Sequence, residues 1–248
     1  MRVTTAVLCT ALSLPATAIT NIEEKRAVDE KDGWNSRLEL GFDAEAGNND
    51  KRKWSTGVNT SWQNQQDRFF AWANRTYGSS NGDTTDDDTF FHGRFVHHHL
   101  QTWSQEVFAQ YERDPFAALI HRALLGTGIR HQTHFDDRGR WYQGLGIFHE
   151  EVREQDDSGE YANQLTRLNI YTHLQWPLAH SMLQSTLYFQ PSVDDLSDQH
   201  ALWQLALTLP MAEHTDLKWQ WQSRWDSRPP EGTEYQNHQT HLKLVIRF

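Results

Sequence analysis

The chain has 248 residues, of which 33 are Asp or Glu and 23 are Lys or Arg, so its formal net charge is −10. Because a nucleic-acid partner needs a basic surface to bind phosphate, this balance disfavours DNA or RNA binding. The only cysteine is Cys9, which excludes an internal disulfide and leaves the chain beyond residue 9 without a thiolate ligand or nucleophile.

The N-terminal segment has the pattern of a secretory signal peptide. Arg2 is followed by the apolar run Val3 to Leu14, which is about half as long as a membrane-spanning helix. The tripeptide Ala16-Thr17-Ala18 then matches an A-x-A cleavage site. We therefore expect residues 1–18 to be removed, and the following residues 19–33, which are rich in Glu, Lys and Asp, to form a flexible leader.

Beyond the leader, apolar residues recur at every second position, which is the period of a β-strand. The last segment shows this most clearly, because its apolar residues share one parity and its basic residues share the other. The apolar set is Leu242, Leu244, Ile246 and Phe248. Runs of this kind, separated by clusters of turn residues, predict twelve strands. These are residues 34–47, 53–64, 68–78, 88–98, 102–112, 118–134, 140–153, 161–176, 181–192, 199–212, 215–227 and 235–248.

An even number of alternating strands is typical of single-chain barrels of the bacterial outer membrane. We therefore predict an all-β fold over residues 34–248, a transmembrane antiparallel up-and-down β-barrel of about twelve strands, in the outer membrane of a Gram-negative bacterium. The mean hydropathy of −0.78 does not oppose this, because each barrel strand shows only every second residue to lipid. A soluble secreted β-protein is an alternative, although it would need a second sheet to cover the apolar faces.

The connections also suggest an orientation for such a barrel. If both termini lie in the periplasm, the odd-numbered connections face outwards. The predicted outer loops include Gly78–Asp87, Gln155–Glu160, Ser192–Asp198 and Asp226–Gln236. The inner turns, such as Gln65–Asp67 and Pro177–His180, are shorter.

Polar residues of the second parity are expected to line the lumen. The predicted lumen-lining residues are Arg122, Arg130, Glu150, Arg167, Lys218, Arg224, Lys243 and Arg247. Arg122 and Arg130 share one parity of one strand, with Gly126 and Gly128 between them. Glycines at these positions leave room for the long guanidinium groups or for a bend in the strand.

Ion pairing across the lumen wall is a further expectation, because Glu150 and Arg167 lie on adjacent strands. Barrels of about eight strands are filled by side chains, whereas those of sixteen or more leave a channel. We therefore expect a narrow lumen partly closed by ion pairs, and we favour this structural role for the charges over a selectivity filter.

The sequence contains no clear motif for catalysis or metal binding. A nucleophile elbow and an H-E-x-x-H motif are both missing, although an outer-membrane enzyme such as a lipid hydrolase stays open as an alternative. In His97-His98-His99 only the first and third residues share a face of a strand, which offers two metal ligands at best. We predict a non-enzymatic protein without metal or cofactor.

Over nearly the whole mature chain, in the same order, the sequence resembles the YdiY-like salt-induced outer-membrane protein family, known as domain of unknown function 481. The matching stretches are Leu38–Phe42 with Gly47–Asp50, Arg113–Phe116 leading into Arg122–Gly128, and Trp225–Pro230 before the final strand. The resemblance implies an outer-membrane barrel and supplies no catalytic residues.

The partners expected of such a barrel are outer-membrane lipid, lipopolysaccharide and the barrel-assembly machinery, with the protein itself a monomer. The assembly signal of these barrels lies in the final strand. We therefore expect deletion of Phe248 to reduce the yield of protein in the outer membrane.

Overall fold

The structure is a computed structural model that describes residues 19–26, 32–46, 50–135, 139–156, 159–212, 215–229 and 234–246. The expected signal peptide, residues 1–18, lies outside these ranges. The described residues form a single helical turn, α1 (Glu23–Arg26), a 3-10 turn (Pro115–Ala117) and twelve strands. The strands are β1 (Gly33–Glu45), β2 (Lys51–Gln63), β3 (Asp67–Ser80), β4 (Asp83–His98), β5 (Trp103–Asp114), β6 (Leu119–His134), β7 (Arg140–Asp156), β8 (Gly159–Leu178), β9 (Ser181–Pro191), β10 (Gln199–Ala212), β11 (Thr215–Asp226) and β12 (Gln236–Ile246).

The predicted up-and-down topology is confirmed, because the strands form one antiparallel sheet in chain order from β1 to β12. The shortest strands, β9 and β12, have 11 residues each, and a tilted strand needs about 9 to 11 residues to cross a bilayer. Within the described ranges, no ladder of backbone hydrogen bonds joins β12 to β1.

Two connections are tighter than predicted. The expected outer loop Gly78–Asp87 is a two-residue turn in which Asn81 and Gly82 have φ values of 52° and 93°. Asn-Gly tolerates positive φ at both central positions and therefore favours such a hairpin over a long loop. In place of the expected loop Gln155–Glu160, only residues 157–158 separate β7 from β8.

The two faces of the sheet differ in composition. Partners across the ladders point to the same side, so the pairing register assigns each residue to one face. Among the described strand residues, the large exposed apolar side chains lie on one face, here called the outer face. Met182 is the exception. The outer set is Trp34, Leu38, Leu40, Phe42, Trp54, Val58, Tyr77, Phe91, Phe95, Trp103, Val107, Tyr111, Leu125, Ile129, Trp141, Leu145, Ile147, Ile170, Leu178, Leu187, Trp203, Met211, Trp225, Leu242 and Leu244.

From β3 to β11 the opposite face is largely buried or half-buried although many of its side chains are polar or charged, whereas in β1 and β12 much of it is exposed. Residues 19–26 lie against this face and bond to β3, β5, β6 and β10. Four separate strands contact one short segment, so the sheet must curl around it. The sheet therefore forms a barrel with residues 19–26 in its lumen. None of the helical turns in the described ranges is long and apolar enough to cross a membrane.

Candidate functional site: an occluded lumen

The N-terminal segment Ile19–Arg26, here called the plug, lies inside the lumen, nearer the inner turns than the outer loops. Ile19 and Ile22 are each 4% exposed. They pack in one apolar cluster with Phe70, Trp72, Val96, Tyr171, Tyr188 and Leu202. We expected residues 19–33 to form a flexible leader, but the structure places 19–26 among buried side chains. The physical reason is that Ile19 and Ile22 join an apolar cluster while Glu23 and Arg26 pair with buried counter-charges.

Two guanidinium–carboxylate pairs hold the plug. Glu23 is 1% exposed and accepts hydrogen bonds from both terminal nitrogens of Arg130, at 2.8 and 2.7 Å. Arg26 donates to the two carboxylate oxygens of Glu106, at 2.5 and 2.6 Å, and Arg94 donates to the same carboxylate. Bidentate pairs of this kind are the strongest class of side-chain hydrogen bond. The plug therefore has specific partners in β5 and β6, and Arg94 of β4 shares one of these partners.

Further contacts fix the plug along its length. Asn21 donates from Nδ2 to Oε1 of Gln204 at 2.7 Å, and Arg68 donates to the carbonyl oxygen of Arg26 at 2.9 Å. These partners are 183 and 42 residues away in the chain. The contacts require β3 and β10 to face each other across the lumen, so the plug also organises the barrel.

A second layer of ion pairs lies towards the outer loops and contains three of the predicted lumen residues. Arg122 donates to Oε2 of Glu150 at 2.8 and 2.7 Å, and Arg167 donates to Oε1 of the same carboxylate at 2.5 Å. Arg167 also lies 2.9 Å from Oδ1 of Asp198. The side chains of Arg122, Glu150 and Arg167 are each 3% exposed. The structure thus brings together residues from β6, β7 and β8, as their shared parity predicts.

The Arg122–Glu150 layer lies between two cavities. On the outer side of the Arg122–Glu150 layer lies a cavity of about 370 Å³, lined in part by Glu154, Tyr161, His200 and Asp226. A smaller cavity of about 40 Å³ separates this layer from the plug. That volume holds one or two water molecules, so the plug and the Arg122–Glu150 layer lie close together in this part of the lumen.

Gly126 of β6 does not make room for the guanidinium groups of Arg122 and Arg130. Arg122 and Arg130 direct their guanidinium groups towards Glu150 and Glu23, not over the glycines. A Cβ atom on Gly126 would lie 2.5 Å from Cζ of Phe108 and 2.6 Å from Cβ of Phe148. The space at Gly126 is therefore filled by the two phenylalanine side chains.

We expect Gly126→Ala to destabilise the barrel by about 1–3 kcal/mol, the usual cost of overpacking a filled interior. Gly93→Ala is the matched control, because a Cβ there meets its nearest atom, Cζ of Phe91, at an ordinary 3.4 Å. Urea unfolding of both variants in lipid vesicles checks this. Equal unfolding midpoints for the two variants would count against the packing described.

The outer loops are joined by a clasp between Asp195 and Arg228. Nη2 of Arg228 lies 2.5 Å from Oδ2 of Asp195, and the hydroxyl and backbone N–H of Ser197 donate to Oδ1 at 2.7 and 3.0 Å. The Ser197 hydroxyl is the main cause that lowers the pKa of Asp195 from 3.8 to about 2, followed by its N–H and by Arg228. This clasp connects the β9–β10 loop with the β11–β12 loop.

The clasp gives a prediction for the response of these loops to pH. A carboxyl group whose folded pKa is lowered contributes stability above its unfolded pKa, and the contribution is lost as pH falls through the folded value. We therefore expect the clasp to persist down to about pH 3 and to be lost near pH 2, with a small increase in loop cleavage because an exposed ion pair contributes little. Asp195→Asn should remove this pH step while the neighbouring control Asp194→Asn keeps it. An acid-stable protease, with cleavage sites mapped by mass spectrometry, provides the measurement.

The remaining predicted lumen residues lie in the last two strands. Lys218 and Arg224 are half-buried on the inner face of β11, and Lys243 pairs with Lys218 across the ladder but is exposed. Arg247 and the predicted assembly signal Phe248 lie outside the described residues. This part of the inner face is more open than the part that surrounds the plug.

Sequence reasoning missed Glu23, Arg26, Glu106 and Arg94. The signal for Glu106 and Arg94 was available, because they share the inward parity of β5 and β4 with buried residues. For the plug, Ile19, Ile22, Glu23 and Arg26 recur at the spacing of one helix face. A four-residue turn is too short for this spacing to stand out in a charged segment.

The histidine run does not form a metal centre with its neighbours. His97 bonds through Nδ1 to Oδ1 of Asp67 at 2.7 Å, and its ring lies 4.7 Å from the ring of His99 in a T-shaped contact. Over the ranges that the structure describes, no group of three or more His, Cys, Asp or Glu residues is placed to hold a metal ion.

Comparison with solved structures finds several barrels with low sequence identity. The NanC porin is 11% identical with a TM-score of 0.47, over 79% of this chain and 94% of that one. The translocator domain of the autotransporter NalP from Neisseria meningitidis is 12% identical with a TM-score of 0.48, over 91% and 92%. The beta domain of the Bordetella autotransporter Brka is 9% identical with a TM-score of 0.39, over 87% and 98%. Since these TM-scores are below 0.5, the similarities add nothing to the fold described above.

Comparison with curated proteins finds no match. A family model does match, and it covers residues 38–248, from the first strand to the end of the chain. The matched range contains all of β2 to β12 and every lumen residue predicted from the sequence. The chain therefore belongs to the family described as protein of unknown function, DUF481.

Proposed function

We propose that the chain is a non-enzymatic β-barrel of the outer membrane of a Gram-negative bacterium, with a lumen that the plug closes at rest. The observation that carries this proposal is the division of the sheet into an exposed apolar outer face and an inner face that is buried and ion-paired around the plug. Large contiguous apolar surfaces are rare on soluble monomers. In a bilayer the same surface is stable, because it contacts lipid tails.

Aromatic side chains at the inner-turn end of the barrel support this location. Trp34 lies 6.5 Å from both Trp62 and Phe69, and Phe135 lies 6.2 Å from Trp141 and 6.0 Å from Trp176. Most of these residues are on the outer face near the ends of β1–β3 and β6–β8. Girdles of this kind mark the membrane–water interface in outer-membrane barrels.

A barrel in lipid must also satisfy the backbone groups of its edge strands. An unpaired N–H or C=O costs several kcal/mol in the hydrocarbon region, so open sheet edges do not occur there. We propose that β1 and β12 pair in the membrane. The apolar outer faces of both edge strands, such as Leu40 and Leu242, are already suited to contact lipid.

The role that follows is that of a closed conduit or a structural envelope component. Charged layers in the lumen favour small polar solutes over apolar ones if the plug moves away. As a monomer, the barrel would contact outer-membrane lipid and lipopolysaccharide, and it would depend on the barrel-assembly machinery for insertion.

Cell fractionation combined with gel electrophoresis tests the location. A folded outer-membrane barrel resists denaturation in detergent, so we expect the protein in the outer-membrane fraction and a different gel mobility before and after boiling. Recovery of the protein in the soluble periplasm, with a mobility that boiling does not change, would contradict the proposal.

A further inference from the structure

Glu112, on the inner face of β5, lacks the close guanidinium partner that Glu23, Glu106 and Glu150 have. Its side chain is 13% exposed, and it accepts hydrogen bonds from Gln110 and, at 3.4 Å, from the hydroxyl of Thr20 in the plug. Within the described residues, the only guanidinium nitrogen within 4 Å is Nη1 of Arg122, at 3.9 Å. That guanidinium already donates twice to Glu150, at 2.8 and 2.7 Å.

Three buried carboxylates of the lumen have a closer counter-charge than Glu112 has. Glu23, Glu106 and Glu150 each accept hydrogen bonds from a guanidinium group at 2.8 Å or less. A buried carboxylate without such a partner carries a large desolvation cost. The position of Glu112 therefore suits one further cation on the plug side.

The chain can supply that cation next to Thr20. Ile19 is 4% exposed, and its Cα lies about 3.8 Å from that of Thr20, as in any trans peptide. Both residues line the cavity of about 40 Å³, together with Gln110 and Arg122. In an uncleaved chain the backbone nitrogen of Ile19 is a neutral amide. If the chain is cut after Ala18, this nitrogen becomes an α-ammonium group in the same region of the lumen.

We propose that a signal peptidase hydrolyses the Ala18–Ile19 bond and that the new α-ammonium group of Ile19 pairs with Glu112, which seats the plug. Water supplies the hydroxyl group that forms the Ala18 carboxylate. The C–N bond breaks, and the nitrogen of Ile19 takes up protons to become the ammonium ion. The inference rests on the proposed function, since only a secreted chain meets this peptidase, and it links closure of the lumen to processing.

The experiment compares folded barrels that differ at the N-terminus. One chain begins at Ile19 and is released from a fusion by a protease that leaves no extra residue. A second carries Gly-Ser-Gly before Ile19, a third combines the Ile19 start with Glu112→Gln, and a fourth combines it with Glu151→Gln as a matched surface control. The rate of α-amine acylation at pH 7 is measured by mass spectrometry in folded and in urea-unfolded protein.

We expect the folded Ile19 chain to react at least about tenfold more slowly than the unfolded chain, because a buried amine reacts only when the structure opens locally. Glu112→Gln should remove most of this protection, the Gly-Ser-Gly extension should abolish it, and Glu151→Gln should retain it. Equal rates in the folded and unfolded Ile19 chains would overturn the inference, and this result is informative even if Glu112→Gln fails to fold. N-terminal sequencing of the secreted protein is a second test, and a first residue other than Ile19 would also overturn the inference.

Bilayer recordings on the same preparations separate this inference from the proposed function. Slow acylation together with a conducting wild-type barrel would support the ion pair and contradict closure by the plug. Fast acylation together with a silent barrel would support closure and overturn the ion pair.

Discussion

Deletion of residues 19–26 is expected to convert a barrel that is silent in planar lipid bilayers into one that conducts in discrete steps. The plug supplies the apolar side chains and the paired charges that fill the inner lumen, so its removal leaves a charged, water-accessible space between β3, β5, β6 and β10.

The single substitution Glu23→Gln should raise the open probability of the barrel at least about tenfold, since a loss of only 1.4 kcal/mol from the closed state changes an equilibrium by that factor.

The control for plug deletion is Lys53→Met, which removes an exposed ion pair with Asp86. The two side chains of that pair are 47% and 32% exposed, and surface pairs contribute little. We expect this variant to stay silent. A deletion variant that folds, as judged by its gel mobility before and after boiling, and still fails to conduct would contradict the role of residues 19–26.

The second large effect is expected at Glu150. Glu150→Gln leaves the buried guanidinium groups of Arg122 and Arg167 without the carboxylate that joins them. Removing one partner of a buried pair costs about 3–5 kcal/mol. We expect a loss of about 3 kcal/mol, because Arg167 keeps its contact with Asp198 at 2.9 Å. Urea unfolding in lipid vesicles, followed by tryptophan fluorescence, measures the difference.

Glu151 provides the comparison on the same strand. It points to the outer face, its side chain is 47% exposed, and its contact with His121 spans 3.7 Å. Glu151→Gln should change the free energy of unfolding by less than about 0.5 kcal/mol. If the Glu150 and Glu151 variants unfolded at the same urea concentration, the buried ion-pair layer would not have the energetic role assigned to it.

The strands could be predicted because the wall of a barrel has lipid on one side and the lumen on the other, so apolar and polar residues alternate along each strand. The same rule placed Arg122, Glu150 and Arg167 on one face, and the structure joins them through one carboxylate. Parity could not say which charges meet, because that depends on the register between strands. The β3–β4 turn was missed because a polar stretch of ten residues resembles a loop unless Asn81-Gly82 is given its full weight as a hairpin signal.

The plug was missed for a different reason. Its position depends on contacts with residues 42 to 183 positions away, and no local period encodes such contacts. Glu23 and Arg26 look like solvated charges in sequence, since their partners Arg130 and Glu106 are brought near them only when the sheet curls. Long-range ion pairs of this kind become visible only in the folded chain.

Spin labels on β10 would test most directly whether the outer face of the sheet contacts lipid. The only cysteine, Cys9, lies within the expected signal peptide, so single cysteines at positions 203 to 207 can be labelled without background. We predict high accessibility to oxygen, which concentrates in lipid, for labels at Trp203, Leu205 and Leu207, and low accessibility at Gln204 and Ala206. Accessibility that does not alternate, or outer positions that a water-soluble relaxation reagent reaches as easily as loop positions, would contradict a membrane-spanning barrel.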